Sequence, residues 1–289
     1  MKEEDIISII IMTDSTCDIS KEDQSLLHVE IIPLTVQFDG ISYRDGIDIT
    51  NEQFYDKLDR CEQLPTTSQI TPQTFADAFQ RHLNAGDEVV GIFISSEISG
   101  TYNSACVAKQ ILDSDHLHIV DSRSATMSLA LLVFEAAKHR DSGHSAKQIA
   151  EYITALSHKV RFFTVINTLK YLRKGGRIPA TTAIIGEVLG MKPIVSIMKG
   201  TIHTIGKARG MQAALNSILQ KILNDLPDLR YKVVFAHSCS PALLEKAVNR
   251  FQKPLQLVDY LTCSVGSVIG TYAGRGAVGF AYIAQQTHE

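Results

Sequence analysis

Hydroxyl side chains gather at two places where an anion is easily held. Ser95-Ser96-Glu97-Ile98-Ser99-Gly100-Thr101 follows the apolar run at residues 89–94 and opens a helical segment. Hydroxyls and free backbone N–H groups at a helix start bind anions. The simpler role is N-capping. A serine nucleophile would need a base and a G-x-S-x-G elbow, and that pattern is missing here. Thr66-Thr67-Ser68-Gln69 reads, by itself, as a polar loop before the helix cap Thr71-Pro72. Asp14-Ser15-Thr16-Cys17-Asp18 pairs carboxylates that could bind Mg²⁺ or carry a phosphoryl group. A capped turn explains it better, since no second acidic cluster and no P-loop accompany it. Residues 170–177 hold four cations in eight positions, a local basic patch that also suits a helix C-terminus.

Two further patterns fail on inspection. Gly274-Arg275-Gly276-Ala277-Val278-Gly279 matches G-x-G-x-x-G, but ten residues remain after it and no βαβ unit fits. It is read as a glycine-rich turn where the backbone approaches a ligand or another segment. His203 and His237 lie near strands and belong to no ligand spacing, so no metal is expected.

The elements that must position these residues alternate. Largely apolar runs at 6–12, 31–38 and 117–120 and the continuous apolar run at 89–94 read as strands, the second followed by an Asp39-Gly40 hairpin turn. Helical spacing follows Thr50, Thr71, Gly100, Ser122 and Gly143. The expected fold class is α/β, with a parallel sheet covered by helices on both faces in the N-terminal half. After residue 158, strands at 162–166, 194–198, 202–205, 233–236, 255–258 and 278–283 mix with helices at 208–223 and 242–251. Residues 178–191 read as a buried apolar helix, and 265–269 as part of the same strand–helix alternation. Two α/β domains are expected, 1–158 and 159–289.

Composition excludes several functions. The chain has 289 residues, 45% apolar and 20% charged, with 28 basic against 31 acidic side chains and a formal charge of −3. That balance gives no global case for nucleic acid or an anionic membrane. The acidic start Met1-Lys2-Glu3-Glu4-Asp5 lacks the basic region of a signal peptide. The most apolar stretch, 125–137, is too short to span a bilayer. Five scattered cysteines without a C-x-x-C pair suit a reducing cytoplasm better than a disulfide framework.

Taken in order, several segments resemble the DegV family of bacterial fatty-acid-binding proteins. They are Thr13-Asp14-Ser15-Thr16, Ile32-Pro33-Leu34, Thr67-Ser68-Gln69, Ser95-Ser96 with Ser99-Gly100-Thr101-Tyr102-Asn103-Ser104-Ala105, Val120-Asp121-Ser122, Tyr171-Leu172 through Gly175-Gly176-Arg177-Ile178, and Gly276 to Gly279. The resemblance implies two α/β domains with one long-chain fatty acid, such as palmitate or oleate, held between them. It implies that Thr67, Ser99 and Gly100 hold the carboxylate. The family usually carries His-x-Gly-Pro-Gly near its end; here Tyr272-Ala273-Gly274-Arg275-Gly276 stands there. Tyr272 can still donate a hydrogen bond to the head. Ser68, Arg177, Arg209 and Arg275 are candidates for the head group or a partner. Ile184, Ile185, Val188 and Leu189, with Val268 and Ile269, are candidates for lining the acyl chain, against the plainer role of core.

The resemblance further implies a carrier that presents its lipid to a separate fatty acid kinase, which forms acyl phosphate. No ATP motif and no other cofactor is expected in this chain. Two alternatives remain at this stage. One is a serine hydrolase or lipid-phosphate enzyme using Ser96 or Ser99. The other is a lipid-sensing regulatory protein.

Overall fold

The computed structural model describes residues 8–179 and 190–285. The N-terminal half begins with β1 (Ile9–Asp14), α1 (Lys21–Leu27), β2 (Val29–Ile32), β3 (Thr35–Phe38), β4 (Ile41–Arg44), α2 (Asn51–Arg60) and β5 (Thr66–Ser68). It continues through α3 (Pro72–Asn84), β6 (Glu88–Phe93), α4 (Thr101–Leu112), β7 (Leu117–Asp121), α5 (Met127–Asp141) and α6 (Ala146–Ser157). Polar caps set several helix starts. Thr50 and Gln53 form a reciprocal capping box on α2, as do Ser145 and Gln148 on α6, and Thr71 caps α3 with Pro72 in its first turn.

Strands β2-β1-β6-β7 form an all-parallel sheet. Adjacent residues of one strand serve opposite cores, as period-two geometry requires. Ile11, Val90 and Ile92 face α5 and α6, while Met12, Val89 and Phe93 face α3 and α4. A separate antiparallel sheet, β4-β3-β5, lies beside it.

The rest comprises β8 (Val160–Val165), α7 (Lys170–Lys174), β9 (Met191–Met198), β10 (Thr201–Arg209) and α8 (Met211–Leu223). β11 (Val233–His237), α9 (Pro241–Phe251), β12 (Tyr260–Ser264), α10 (Ser267–Ala273) and β13 (Val278–Ile283) complete it. Its six-stranded sheet has the order β10-β9-β8-β13-β11-β12 and is antiparallel except for β11 beside β12. Helices α8 and α9 cover one face. The opposite face meets α5 through Met127 and Leu131. That helix is wedged between the two large sheets, so the run 125–137 is apolar all round rather than amphipathic.

Several boundaries differ from expectation for local reasons. The run 31–38 is two strands in two sheets, parted at Pro33-Leu34, because proline cannot donate to a ladder. Ala208 and Arg209 end β10, and α8 starts only after Gly210 at φ 81°. Residues 255–258 are a turn, and the strand is Tyr260–Ser264. Residues 265–269 run from a loop into α10 rather than forming a strand. The expected helix at 178–191 falls mostly outside the described residues.

Three buried carboxylates join distant parts of the chain. Asp14 caps the turn after β1 and accepts from the Ile94 amide. Asp18 accepts from the Gly266 amide at 2.8 Å and from the Thr126 hydroxyl. Asp45 accepts from the Ser267 amide at 2.9 Å and its hydroxyl at 2.6 Å. Asp14 therefore caps its turn, as the plainer reading expects, while Asp18 clasps a distant segment, which that reading does not include.

Burial pushes Asp14 up to about 6, against hydrogen bonds from Thr16 and Ile94 that pull it down. Burial also raises Asp18 and Asp45. A carboxyl raised on folding gives stability that is complete below about pH 4 and lost as pH rises through the folded value. The urea midpoint is therefore expected to fall between pH 4.5 and pH 7.5, with Asp14 alone supplying a span on the order of 2 kcal/mol within that window. Asp48, held near 2 by Arg44, acts in the opposite direction but only below about pH 4. Urea unfolding at constant ionic strength checks this, and a flat or rising midpoint across that window contradicts it.

Candidate functional site

The short strand β5 pairs with β3, setting Thr67 opposite Val36. Alternation turns Thr67 inward and leaves Thr66 and Ser68 exposed. Thr67 Oγ1 lies 2.6 Å from the Tyr272 hydroxyl, 205 residues away in sequence. Tyr272 sits on α10, whose first turn Asp18 and Asp45 hold. Ile269, one turn before Tyr272, shares its face. Both line an apolar cavity with Ile98, Ala125, Phe162, Ile166, Leu172, Val195, Ile197, Ile202 and Ala273. Val268 turns the other way and packs into the core with Met12, Phe75 and Phe93. It is a core residue, not a cavity wall.

One cation reaches this cavity among the described residues. The Arg177 guanidinium lies 4.7 Å from the centre of the Tyr272 ring and donates to the Gly175 carbonyl at 2.7 Å. On the far side of Tyr272 an open pocket of about 590 Å³ is lined by Thr66, Thr67, Lys174, Gly175 and Arg177.

The second hydroxyl segment adjoins the first. Ser99 accepts from the Thr101 amide and bonds its hydroxyl at 3.0 Å, and Gly100 precedes α4 without a side-chain cap. Gln69 lies across Gly100, and its amide donates to Ser104 at 3.0 Å. A Cβ on Gly100 would stand 2.0 Å from Gln69 Oε1. Close approach, rather than backbone conformation, requires glycine there.

The sequence profile of the family described as "Uncharacterised protein, DegV family" matches residues 8–285. The chain belongs to the DegV family. A DegV domain-containing protein of Caldanaerobacter subterraneus is 34% identical over 94% of this chain and 97% of its own length. Among solved structures, a stearic acid-binding protein from Eubacterium ventriosum is 30% identical, with a TM-score of 0.86 over 95% of this chain and 98% of its own. A DegV family protein from Thermus thermophilus, described for its fatty acid binding, is 28% identical, with a TM-score of 0.84 over 96% of this chain and all of its own.

Other residues expected at a DegV site fall elsewhere. Arg275 turns to α2, where Asp56 at 3.0 Å and Asp59 at 2.7 Å neutralise it. Its charge is engaged there, because the flanking Gly274 and Gly276 take φ of 70° and 84° and turn the segment away. A Cβ on Gly274 would lie 2.6 Å from the Tyr171 ring, so this glycine turn serves a close approach between segments. Arg209 is exposed at the end of β10, opposite Met191. Ile184, Ile185, Val188 and Leu189 lie outside the described residues. Ser96 donates to Asp121 at 2.6 Å, and among the described residues no histidine is hydrogen-bonded to Ser95, Ser96 or Ser99. Gln69, Ile98 and Phe162 escape sequence reading. Gln69 adjoins Ser68 but carries no periodic signal, whereas alternation along β8 already marks Phe162 as inward.

The Gly100–Gln69 contact is testable. Gly100→Ala should push Gln69 off Ser104 and cost about 1 kcal/mol, the worth of one hydrogen bond. In a Gln69→Ala background the same change should cost almost nothing. A thermal-denaturation double-mutant cycle measures the coupling, and additive effects would contradict the contact.

Proposed function

We propose that this chain binds one long-chain fatty acid and presents its carboxylate to a separate fatty acid kinase. The observation that carries this reading is the union of an apolar cavity with a polar mouth built by Thr67, Tyr272 and Arg177. Ser99 and Gly100 complete the head-binding set in this reading, and Ser68 stays at its rim. Residues 1–158 supply the hydroxyl loops, and 159–289 supply most of the acyl wall. Palmitate and oleate are the expected ligands, and the cytoplasm is the expected location. Among the described residues, no helix is long and apolar enough to cross a membrane.

The forces divide unequally. A C16 acid has about 15 methylene or methyl groups, and burying them at ~0.8 kcal/mol each gives roughly 12 kcal/mol gross. Association and ordering offset much of that. Each hydrogen bond to the ionised head contributes about 1.5–3 kcal/mol. The tail therefore sets affinity, and the head contacts set orientation. Hydroxyls and backbone amides bind a carboxylate without consuming it, which leaves an oxygen free to be phosphorylated. A carrier needs that exposure. Lys174 and Arg177 border the outer pocket and suit an anionic phosphoryl donor there.

Organic extraction and mass spectrometry of the purified protein should yield an acyl chain. Thr67→Ala with Ser99→Ala should weaken binding of added palmitate by roughly tenfold to a thousandfold, the worth of one or two charge-assisted hydrogen bonds. Acyl phosphate should form only when this protein, ATP and a fatty acid kinase are all present. Recovery of no lipid, together with no binding of palmitate or oleate, defeats the proposal. Fluorophosphonate labelling of Ser96 or Ser99 would favour a hydrolase instead.

A further inference from the structure

The apolar cavity and the outer pocket share two lining residues, Arg177 and Tyr272. These side chains stand between a narrow apolar cavity of about 70 Å³ and a wider, more polar pocket of about 590 Å³. The partition packs against a core cluster that includes Ile166, Leu172 and Val195, and it is latched at its edges. Its far edge is tied by one hydrogen bond, Tyr272 to Thr67 on β5. Its face is covered by the Arg177 guanidinium, which α7 carries through the Gly175 carbonyl. Its near edge rests on Gly175, where a Cβ would stand 2.3 Å from Tyr272 Cε1. Gly175 has φ −77°, an ordinary helical value, so an alanine there strains nothing but the ring.

We infer that Tyr272 is a gate through which the ligand passes between the outer pocket and the apolar cavity, with Thr67 as its latch. The inference deepens the fatty-acid reading and rests on it. Opening needs one hydrogen bond to break and one ring to leave its seat on Gly175, its place under Arg177 and its packing against the core cluster of Ile166, Leu172 and Val195. The α10 backbone stays fixed, because Asp18 and Asp45 hold the first turn of that helix. The gate thus moves by side-chain rotation on a rigid hinge. Thr67 and Tyr272 then act in two states. They bond each other when the gate is shut, and they are free to donate to a carboxylate as it arrives.

A gate and a simple ligand contact differ in kinetics. Losing a contact raises koff and leaves kon alone. Loosening a gate raises both. Stopped-flow fluorescence with cis-parinaric acid and lipid-stripped protein gives kon, and a chase with excess oleate gives koff. Tyr272→Phe keeps the ring and removes the latch, so kon should rise roughly fivefold to tenfold, the range one hydrogen bond supports. Gly175→Ala unseats the ring from the other side and should raise kon and koff together, leaving Kd within about twofold. The phenylalanine variant guards against misfolding, since it preserves the ring's packing. Unchanged kon in both variants, or a rise in koff alone, overturns the gate and leaves the fatty-acid reading standing. Absence of saturable binding by the wild-type protein overturns both.

Discussion

Two buried carboxylates on the first turn of α10 are the constraint on which the site depends. A seven-residue helix is too short to hold itself together in water. Asp18 and Asp45 take up the amides of Gly266 and Ser267, which no residue of the helix can satisfy. Burying those carboxylates is costly, and the cost is tolerable because each oxygen that enters the contact accepts a bond. Gly266 is part of the same geometry. A Cβ there would stand 3.0 Å from Asp18 Oδ1 and 3.2 Å from Asp45 Oδ1, so any larger residue would crowd the clasp. The clasp joins residues more than 200 positions apart and fixes the rotation of α10 about its axis. That rotation sends Val268 into the core of the parallel sheet and Ile269 and Tyr272 toward the cavity.

The charges around the site are distributed by the same logic. The segment that departs from the usual family pattern brings Arg275, a cation that looks available to a head group. Asp56 and Asp59 on α2 take it instead. The cation left facing the cavity among the described residues is Arg177, and it rests on an aromatic face rather than on a carboxylate. A guanidinium stacked on a ring keeps most of its N–H donors unspent, which an ion-paired one does not. The head-group region thus holds uncommitted donors beside a hydroxyl pair, while the acids that engage Arg275 lie on α2 and Glu62 lines the outer pocket.

Much of the fold was legible because short-range rules act there. Thr50 and Thr71 announce their helices through caps, and the hairpin at Asp39-Gly40 needs only local geometry. The strands of the parallel sheet read as largely apolar runs because both faces are covered. Legibility failed where tertiary contacts decide. Thr66–Ser68 is a strand only because β3 offers it a partner; its own residues are short, polar and unpatterned. Val268 and Ile269 are equally apolar neighbours, and only the clasp on α10 tells core from cavity. Asp14 reads correctly as a cap, yet nothing local reveals that the Asp18 carboxylate reaches Gly266. For the site itself, order of motifs along the chain pointed to Thr67 and Ser99-Gly100 together, while Gln69, part of the same Thr67-Ser68-Gln69 motif, was given no role although it packs the two segments against each other.

A binding site for an amphipathic acid must solve two opposed problems. The chain wants a dry cavity, and the carboxylate cannot enter one without partners. The molecule separates the two demands in space and in stiffness. The dry walls come from strands β8 and β9, the start of β10, and the rigid face of α10, where side chains are fixed by sheet packing. The polar mouth comes from Thr67 on the short strand β5 and from Gly175 and Arg177 at and after the end of α7, joined by single hydrogen bonds and one cation–π contact. Contacts of that strength are about 1 kcal/mol each, enough to define a resting arrangement and small beside the gross burial of an acyl chain. A ligand can therefore rearrange the mouth at little cost, whereas its tail must also spread the walls of a cavity that holds only about 70 Å³ as it stands.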